Sequence, residues 1–591
     1  MKNLNVFKIK IAGQAGQGIK SAGLILSKFV TRSGFNTYNY TEYPSLIRGG
    51  HNVMHINICK DEVAGPSIYT DLLIALNQES IFKHRDTLSK NSFVIYDKDS
   101  KMKTDLLPEY VKVLPVPLSK IALDSGGDSL LSNVVALGVA TFLLDGDIKI
   151  FEDLIKEEYK KYPEILKSDL IAIEMGYNYA KENFIEVATG FYKLEKSQNN
   201  IENKMVLNGN ESITIAAITA GMQFASIYPM TPITNILHNL AKFQNDYKYV
   251  YMQPEDEISA INLAIGASFA GVRAMTATSG GGFCLMAEGY GLAGMTEIPL
   301  VIIEGMRTGP ATGLPTWSSQ ADLQFILHAH QDEFPRLVLA AGDVKEAFYL
   351  TMEAFYLADK YQTPVVVLVD KNICEHEQSL PFLNFEEYRI DRGKLQKEFD
   401  PEFKRYLLST NGISARSMPG VGNFFVANSD EHDENGYSSE NHENRIKQME
   451  KRMTKLETCK KQNMPEPVLY GPKNADLTII SWGSNKGSIL QALNEFENVN
   501  FLHLTWMNPF PVEAVLKVLK SAQKVVLVEC NYTGQLGQVI AQHTGIIIED
   551  KVLKYDGRPF FVEEVINIIK TRLSNKSIIN NKNNKNDGGT K

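Results

Sequence analysis

The sequence predicts an α/β protein made of three α/β domains. Three observations carry that reading. Apolar strand-like runs alternate with helical patterns in three separate stretches, the arrangement that builds a parallel sheet covered by helices. Glycine-rich turns stand between a strand and the helix after it, at GQAGQG and SGGGF. And 591 residues are too many for a single core.

The first stretch opens with VFKIKIAG, whose alternation reads as a strand. GQAGQG (Gly13 to Gly18) turns the chain, and IKSAGLILSKFVTRSG follows as a helix that Gly34 closes. TDLLIAL and SFVIYD are further strands and NVVALGVATFLL a helix, so residues 1–190 form a first domain with a parallel sheet, and 191–204, around EKSQNN, a linker. The second domain, 205–375, begins near ESITIAAITAG and runs through the loop YPMTPIT and the helix EISAINLAIGASFAG. After these come the strand RAMTAT, the loop SGGGF, the helix CLMAEGYGLAGM, the strand PLVIIEG and the loop MRTGPATGLPTWSSQAD. The helix DVKEAFYLTMEAFYLADKY and the strand TPVVVLVD complete it. Residues 376–467 change character: NSDEHDENGYSSENHENRIKQMEKRMTKLE is charged, and is expected to be an exposed loop ending in an exposed helix. A third α/β unit, 468–573, contains ADLTIISWGS, NVNFLHLTW and KVVLVECN. The tail 574–591 is low-complexity and expected to be disordered.

Composition narrows the function. Hydrophobic residues at 44% and charged residues at 22% are ordinary for a soluble globular protein. A net charge of −8 disfavours a nucleic-acid partner. The N-terminus lacks the apolar core of a signal peptide, and no apolar run reaches the roughly 18 residues of a spanning helix, so a cytoplasmic protein without membrane contact is expected. The five cysteines form no CxxC pair, which argues against a zinc site or an iron–sulfur cluster held by this chain alone and for buried free thiols.

Several motifs invite chemistry, each with a plainer alternative. YPMTPIT holds Thr231 between Pro229 and Pro232; each proline fixes its own φ and pushes the preceding residue towards an extended conformation, so the hydroxyl sits in a stiff loop. GQAGQG can hold an anion on backbone N–H groups at a helix N-terminus, or be a tight turn only. TATSGGGF follows a strand, where α/β folds bind ligands, or is a flexible connection. Glu255, Asp256 and Glu257 open an apolar helix; dipole complementation accounts for one or two of them, but a carboxyl entering a dry core suits proton transfer. Arg307 ends the strand PLVIIEGM and could hold a carboxylate bidentately, or be a surface charge. Gly289, Gly291 and Gly294 spell GxGxxG inside a helical pattern, where close packing explains them better than a dinucleotide. His51 and His55 alternate on a strand, too far apart for one ion; His328 and His330 have no third ligand nearby. HExxH, GxSxG and GxxxxGK[ST] are absent.

Together these segments resemble the alpha subunit of 2-oxoacid:ferredoxin oxidoreductases with a gamma domain fused at its N-terminus. The gamma-like marks are GQAGQGIKSAG, EYPSLIRGGHN and NVVALGVA. The alpha-like marks are YPMTPIT, the run from QPEDEISAIN to MTEIPLVI, and MRTGPATGLPT; SWGSNKG, NPFP and VECNYTGQLGQ mark the C-terminal unit. Met230 stands where isoleucine is common and Gly281 where proline often sits. The resemblance implies a gamma-like domain, a pyrimidine-type thiamine diphosphate domain and a transketolase C-terminal-like domain. It implies decarboxylation of a 2-oxoacid on thiamine diphosphate, with coenzyme A as co-substrate and ferredoxin as electron acceptor. By the same resemblance Glu257, with Glu255 as fallback, contacts the aminopyrimidine ring and promotes its imino tautomer. Tyr228, Pro229 and Pro232 border the cofactor, Thr231 meets the substrate's carboxylate and oxo group, and Arg307 pairs with that carboxylate. Gly13, Gly16, Gly18 and Arg48 could receive coenzyme A phosphates.

The chain has no GDG followed by a distant Asn and no cysteine cluster. The diphosphate's Mg2+ and a 4Fe–4S cluster are therefore expected on a beta subunit, in an αβ or (αβ)2 assembly with the active site at the interface. By resemblance of EDEISAIN and MRTGPATGLPT, 2-oxoglutarate leads, giving succinyl-CoA, with pyruvate, branched-chain and aryl oxoacids open. The rivals are a non-catalytic assembly subunit, which loss of Thr231, Glu257 or Arg307 would have favoured, and a nicotinamide dehydrogenase using Gly289 to Gly294.

Overall fold

A computed structural model describes residues 5–46, 49–194, 204–386 and 388–574. The expected tail beyond Ser574, Arg48 and most of the expected linker lie outside these residues.

The N-terminal sheet is built from β1 (Phe7–Ala15), β2 (Asn36–Glu42), β3 (Gly49–Cys59), β4 (Thr70–Ala75), β5 (Leu88–Asp97) and β6 (Lys112–Val116), with α1 (Ile19–Arg32) following the glycine turn. It is mixed, where the alternation of strands and helices predicted a parallel sheet. β1, β4, β5 and β6 run parallel, but β3 is antiparallel to both β1 and β2. The reason is local: only the short segment 43–48 joins β2 to β3, and parallel neighbours need a much longer crossover. Two later strands, β7 (Lys204–Asn208) and β14 (Glu377–Pro381), extend this sheet to eight, with β14 antiparallel to β2.

Between them lies the sheet that positions the site. β8 (Phe224–Ser226), β9 (Val250–Met252), β10 (Ala274–Thr278), β11 (Leu300–Met306), β12 (Leu337–Ala340) and β13 (Pro364–Asp370) are parallel, in the order 9-8-10-11-13-12. The continuous apolar composition of β11 and β13 suits strands covered on both faces. Alternate residues feed two cores: Met275, Val301, Ile303 and Val367 on one side, Ala274, Ile302, Val366 and Leu368 on the other. The second core contains residues of α2 (Glu257–Phe269) and α3 (Gly280–Met295) and continues into the C-terminal unit through Ile480, Trp482 and Leu502. That unit is a five-stranded sheet whose neighbouring segment Trp506–Asn508 adds an antiparallel edge to β12.

The charged region ends in α4 (His442–Gln462), which is not the exposed helix its composition suggests. Lys451 and Lys455 are buried, and each sets its ammonium 2.6 Å from the fully buried Glu297 carboxylate. Arg452 lies 2.6 Å from Glu431. Long side chains can bury their stems while their charges find a partner, which a hydrophobicity pattern does not register. Glu297→Gln would leave two buried ammonium groups uncompensated, an expected cost of about 3–5 kcal/mol. Urea unfolding should give a lower midpoint; an unchanged midpoint would show that the cluster does not hold the helix.

Candidate functional site

Parallel pairing brings the ends of β8, β9, β10 and β11 to one edge of the sheet, where α/β folds bind ligands. β8 leads into YPMTPIT, β9 into the acids before α2, β10 into the glycine turn before α3, and β11 into Arg307.

The YPMTPIT loop is held from beneath. Ile227 N–H donates to Met252 O (3.0 Å), and Asn210 Nδ2 donates to Pro232 O (2.9 Å). Pro232 and Ile233 are buried, and both press on Gly305 of β11, where a Cβ would have no room. Tyr228, Pro229, Met230 and Thr231 remain half-buried, so the tip is accessible. Ser279 Oγ donates to Met230 Sδ, and Arg307 Nη1 donates to the Thr231 carbonyl (3.2 Å). The two residues with expected substrate roles are thus joined.

The three acids divide by geometry. Asp256 is the N-cap of α2, its carboxylate accepting from Ser259 N–H (2.7 Å). Glu255 is exposed. Glu257, one residue into the helix, turns inward, is 3% exposed, and its Oε1 has no hydrogen-bond partner among the described residues. It faces the glycine turn: a Cβ on Gly282 would collide with Glu257 and Thr278. A buried acceptor without a donor is costly, and the described residues offer this oxygen none.

Two further acids, which belong to none of the sequence motifs, stand at the same edge. Glu304, in β11 three residues before Arg307, is fully buried, and burial followed by the neighbouring carboxylates of Asp322 and Asp370 pushes it well above the usual carboxylate range. Asp322, in the loop after Arg307, is raised by burial to about 6. The signal for Glu304 was present as one charge in the apolar run PLVIIEGM.

The loop after Arg307 is fastened by the C-terminal unit. Ser318 N–H donates to Gly557 O, Gln320 N–H to Cys530 O and Gln320 Nε2 to Trp482 O (2.9, 2.8 and 2.8 Å). The Arg558 guanidinium lies 3.7 Å above the Trp317 ring.

The other candidates fall elsewhere. Gly13 lies in β1 of the eight-stranded sheet, and Gly16 and Gly18 turn the chain from it into α1; Gly16 and Gly18 have φ of 95° and 65°, Gly18 caps α1, and no acid occupies the first turn of that helix. Gly289, Gly291 and Gly294 lie within α3, where Cβ atoms would collide with Ile261, His330 and Phe334. They serve packing and are in no position to cradle a pyrophosphate. His51 bonds to His84 (2.8 Å between ring nitrogens) on a strand, as its alternation implied.

Among described residues no helix is long and apolar enough to cross a membrane. Residues 215–451 match the family described as pyruvate flavodoxin/ferredoxin oxidoreductase, thiamine diphosphate-binding, and residues 8–179 the pyruvate ferredoxin/flavodoxin oxidoreductase family. The chain is 34% identical to the 2-oxoacid:ferredoxin oxidoreductase alpha subunit of Saccharolobus solfataricus, over 95% of this chain and 96% of the relative. It is 28% identical to the 2-oxoglutarate oxidoreductase subunit KorA of Mycobacterium tuberculosis, over 96% and 92%. A solved 2-oxoglutarate:ferredoxin oxidoreductase from Magnetococcus marinus, with 2-oxoglutarate, coenzyme A and succinyl-CoA bound, superposes with a TM-score of 0.89 at 29% identity, over 96% of this chain and 99% of that one.

Gly282→Ala tests the close fit at Glu257. Overpacking there should cost about 1–3 kcal/mol, read as a lower thermal midpoint; an unchanged midpoint would mean the turn has slack.

Proposed function

The chain belongs to the alpha subunits of the 2-oxoacid:ferredoxin oxidoreductases, and from that premise we propose that the edge around Glu257 is its share of an active site completed by a second polypeptide. The observation that carries this is the Glu257 carboxyl oxygen, buried beside the glycine turn with no partner of its own. It fits an aminopyrimidine ring nitrogen, which supplies the complementary group. Thiamine diphosphate, when bound, supplies the electron sink for loss of carbon dioxide from a 2-oxoacid. Glu257 holds and returns the proton at the ring nitrogen; Glu255, being exposed, is the poorer choice. Tyr228, Pro229 and Pro232 border the ring. Arg307 and the Thr231 hydroxyl orient the substrate's carboxylate and oxo group. Pro229 and Pro232 pre-organise that hydroxyl, so little ordering entropy is left to lose on binding.

The substrate we favour is 2-oxoglutarate, converted to succinyl-CoA; the names of the Mycobacterium relative and the Magnetococcus structure support it. Coenzyme A phosphates are assigned to the turn at Gly13, Gly16 and Gly18, with Arg48. Mg2+, the diphosphate site and a 4Fe–4S cluster are assigned to a beta subunit that passes electrons to ferredoxin, in an αβ or (αβ)2 complex. The outward face of α2 and α3 supports such a partner: Ile258, next to Glu257, Leu263 further along α2, and Leu285 on α3 are exposed. Five cysteines, none in a disulfide, fit a cytoplasmic enzyme.

The test is co-expression with the beta partner, anaerobic purification, and coenzyme A-dependent reduction of a viologen dye with a panel of 2-oxoacids. One oxoacid should support turnover. Glu257→Gln should lower kcat by about 100-fold or more, and Arg307→Lys should act mainly by raising KM. An intact, cofactor-loaded complex inert on every oxoacid would leave the non-catalytic assembly reading in its place.

A further inference from the structure

We infer that Glu304 and Asp322 form a carboxyl pair joined by one shared proton, and that the single negative charge left on the pair positions Arg307 and the Gly280 end of α3 beside Glu257. The effect of the pair on turnover rests on the reading of Arg307 as the group that meets the substrate carboxylate.

Glu304 is wholly enclosed, and neither of its oxygens meets a donor among the described residues. What faces it is the Asp322 carboxyl. Ionised carboxylates only accept hydrogen bonds, so two of them pair only when one carries a proton. Leaving both ionised side by side, with Glu304 fully enclosed and Asp322 half-buried, would be costlier than retaining that proton.

The remaining groups around the pair do not offer another solution. Asp370, at the end of β13, also faces Glu304, but its oxygens already accept from Ile373 N–H and Ser484 N–H (3.0 and 3.2 Å). Cys374 faces Glu304 and Cys284, on α3, faces Asp322; neither brings a positive charge. Arg307 faces Asp322. Burial pushes both carboxyls upward, but Glu304 is fully enclosed, whereas Asp322 is only half-buried and faces Arg307, which favours its charged form. Asp322 is therefore the member that ionises and Glu304 the one that keeps the proton.

The position of the pair gives it something to act on. The Asp322 carboxyl lies against Gly280, where an added Cβ would strike it. Glu304 pairs in register with Thr278, which shares the space around Gly282 with Glu257. The charge on Asp322 thus bears on Arg307 from one side and on the base of the glycine turn from the other. Above about pH 6 the pair carries one charge and Arg307 is held; below it the pair is neutral and that hold is lost.

Two readouts test this on the assembled complex. Infrared pH-difference spectra of the wild type should contain a protonated-carboxyl band persisting above pH 7 that is missing in Glu304→Gln. In steady-state assays the wild-type KM for the oxoacid should rise as pH falls through about 6. Glu304→Gln, whose amide donates to the Asp322 carboxylate, should move that inflection to lower pH, and Asp322→Asn should abolish it while raising KM about tenfold with kcat nearly unchanged. No band lost in Glu304→Gln, or a KM–pH profile identical in all three proteins, overturns the pair. A band that behaves as stated in a complex inert on all oxoacids would uphold the pair and overturn the functional reading.

Discussion

Parallel strand pairing is the constraint on which this molecule's site depends. Because β8, β9, β10 and β11 run in the same direction, four segments from distant parts of the chain emerge at one edge. Antiparallel neighbours would have sent alternate segments to opposite ends. Gly305 lets the Pro232 loop press directly on β11, and Gly282 lets the Glu257 carboxyl reach the glycine turn. The edge is thus packed by small residues where backbones approach and left open at Thr231 and Arg307.

Buried acids show how the same residue type is put to opposite uses. Glu297 is surrounded by Lys451 and Lys455, and that compensation holds its carboxyl well below the usual range despite burial. It is a fastening, and it explains why a highly charged helix docks on an apolar domain. Glu257 and Glu304 are also enclosed, but neither forms an ion pair among the described residues. Enclosure without compensation is destabilising, and chains keep such groups chiefly where chemistry requires them. Both stand at the edge where the loops converge, whereas Glu297 stands beyond the far end of α3.

Much of this was legible in the sequence because the decisive signals are local. The prolines around Thr231, the acids before α2 and the glycines after β10 each announce themselves within ten residues, and the resemblance to a known family rests on those same segments. What escaped was set by tertiary pairing. The hairpin of β2 and β3 carries NTYNYTE, too polar to stand out as a strand, and it made the first sheet mixed. The extension of that sheet by β7 and β14 joins segments about 170 residues apart, which no periodicity encodes. The helix α4 looked exposed because its buried residues, Cys459 apart, are polar or charged: Gln448, Lys451, Arg452 and Lys455. Asp322 gave no sign at all: a single acid in a loop acquires meaning only when Glu304 is seen facing it.

The central claim is that Glu257 moves a proton on the ring of bound thiamine diphosphate. The most direct measurement is the rate at which the thiazolium C2 proton of that cofactor exchanges for deuterium in the assembled complex, compared between wild type and Glu257→Gln. The account requires exchange slowed by about 100-fold or more in the variant, with the cofactor still bound. Equal rates in the two proteins would contradict it.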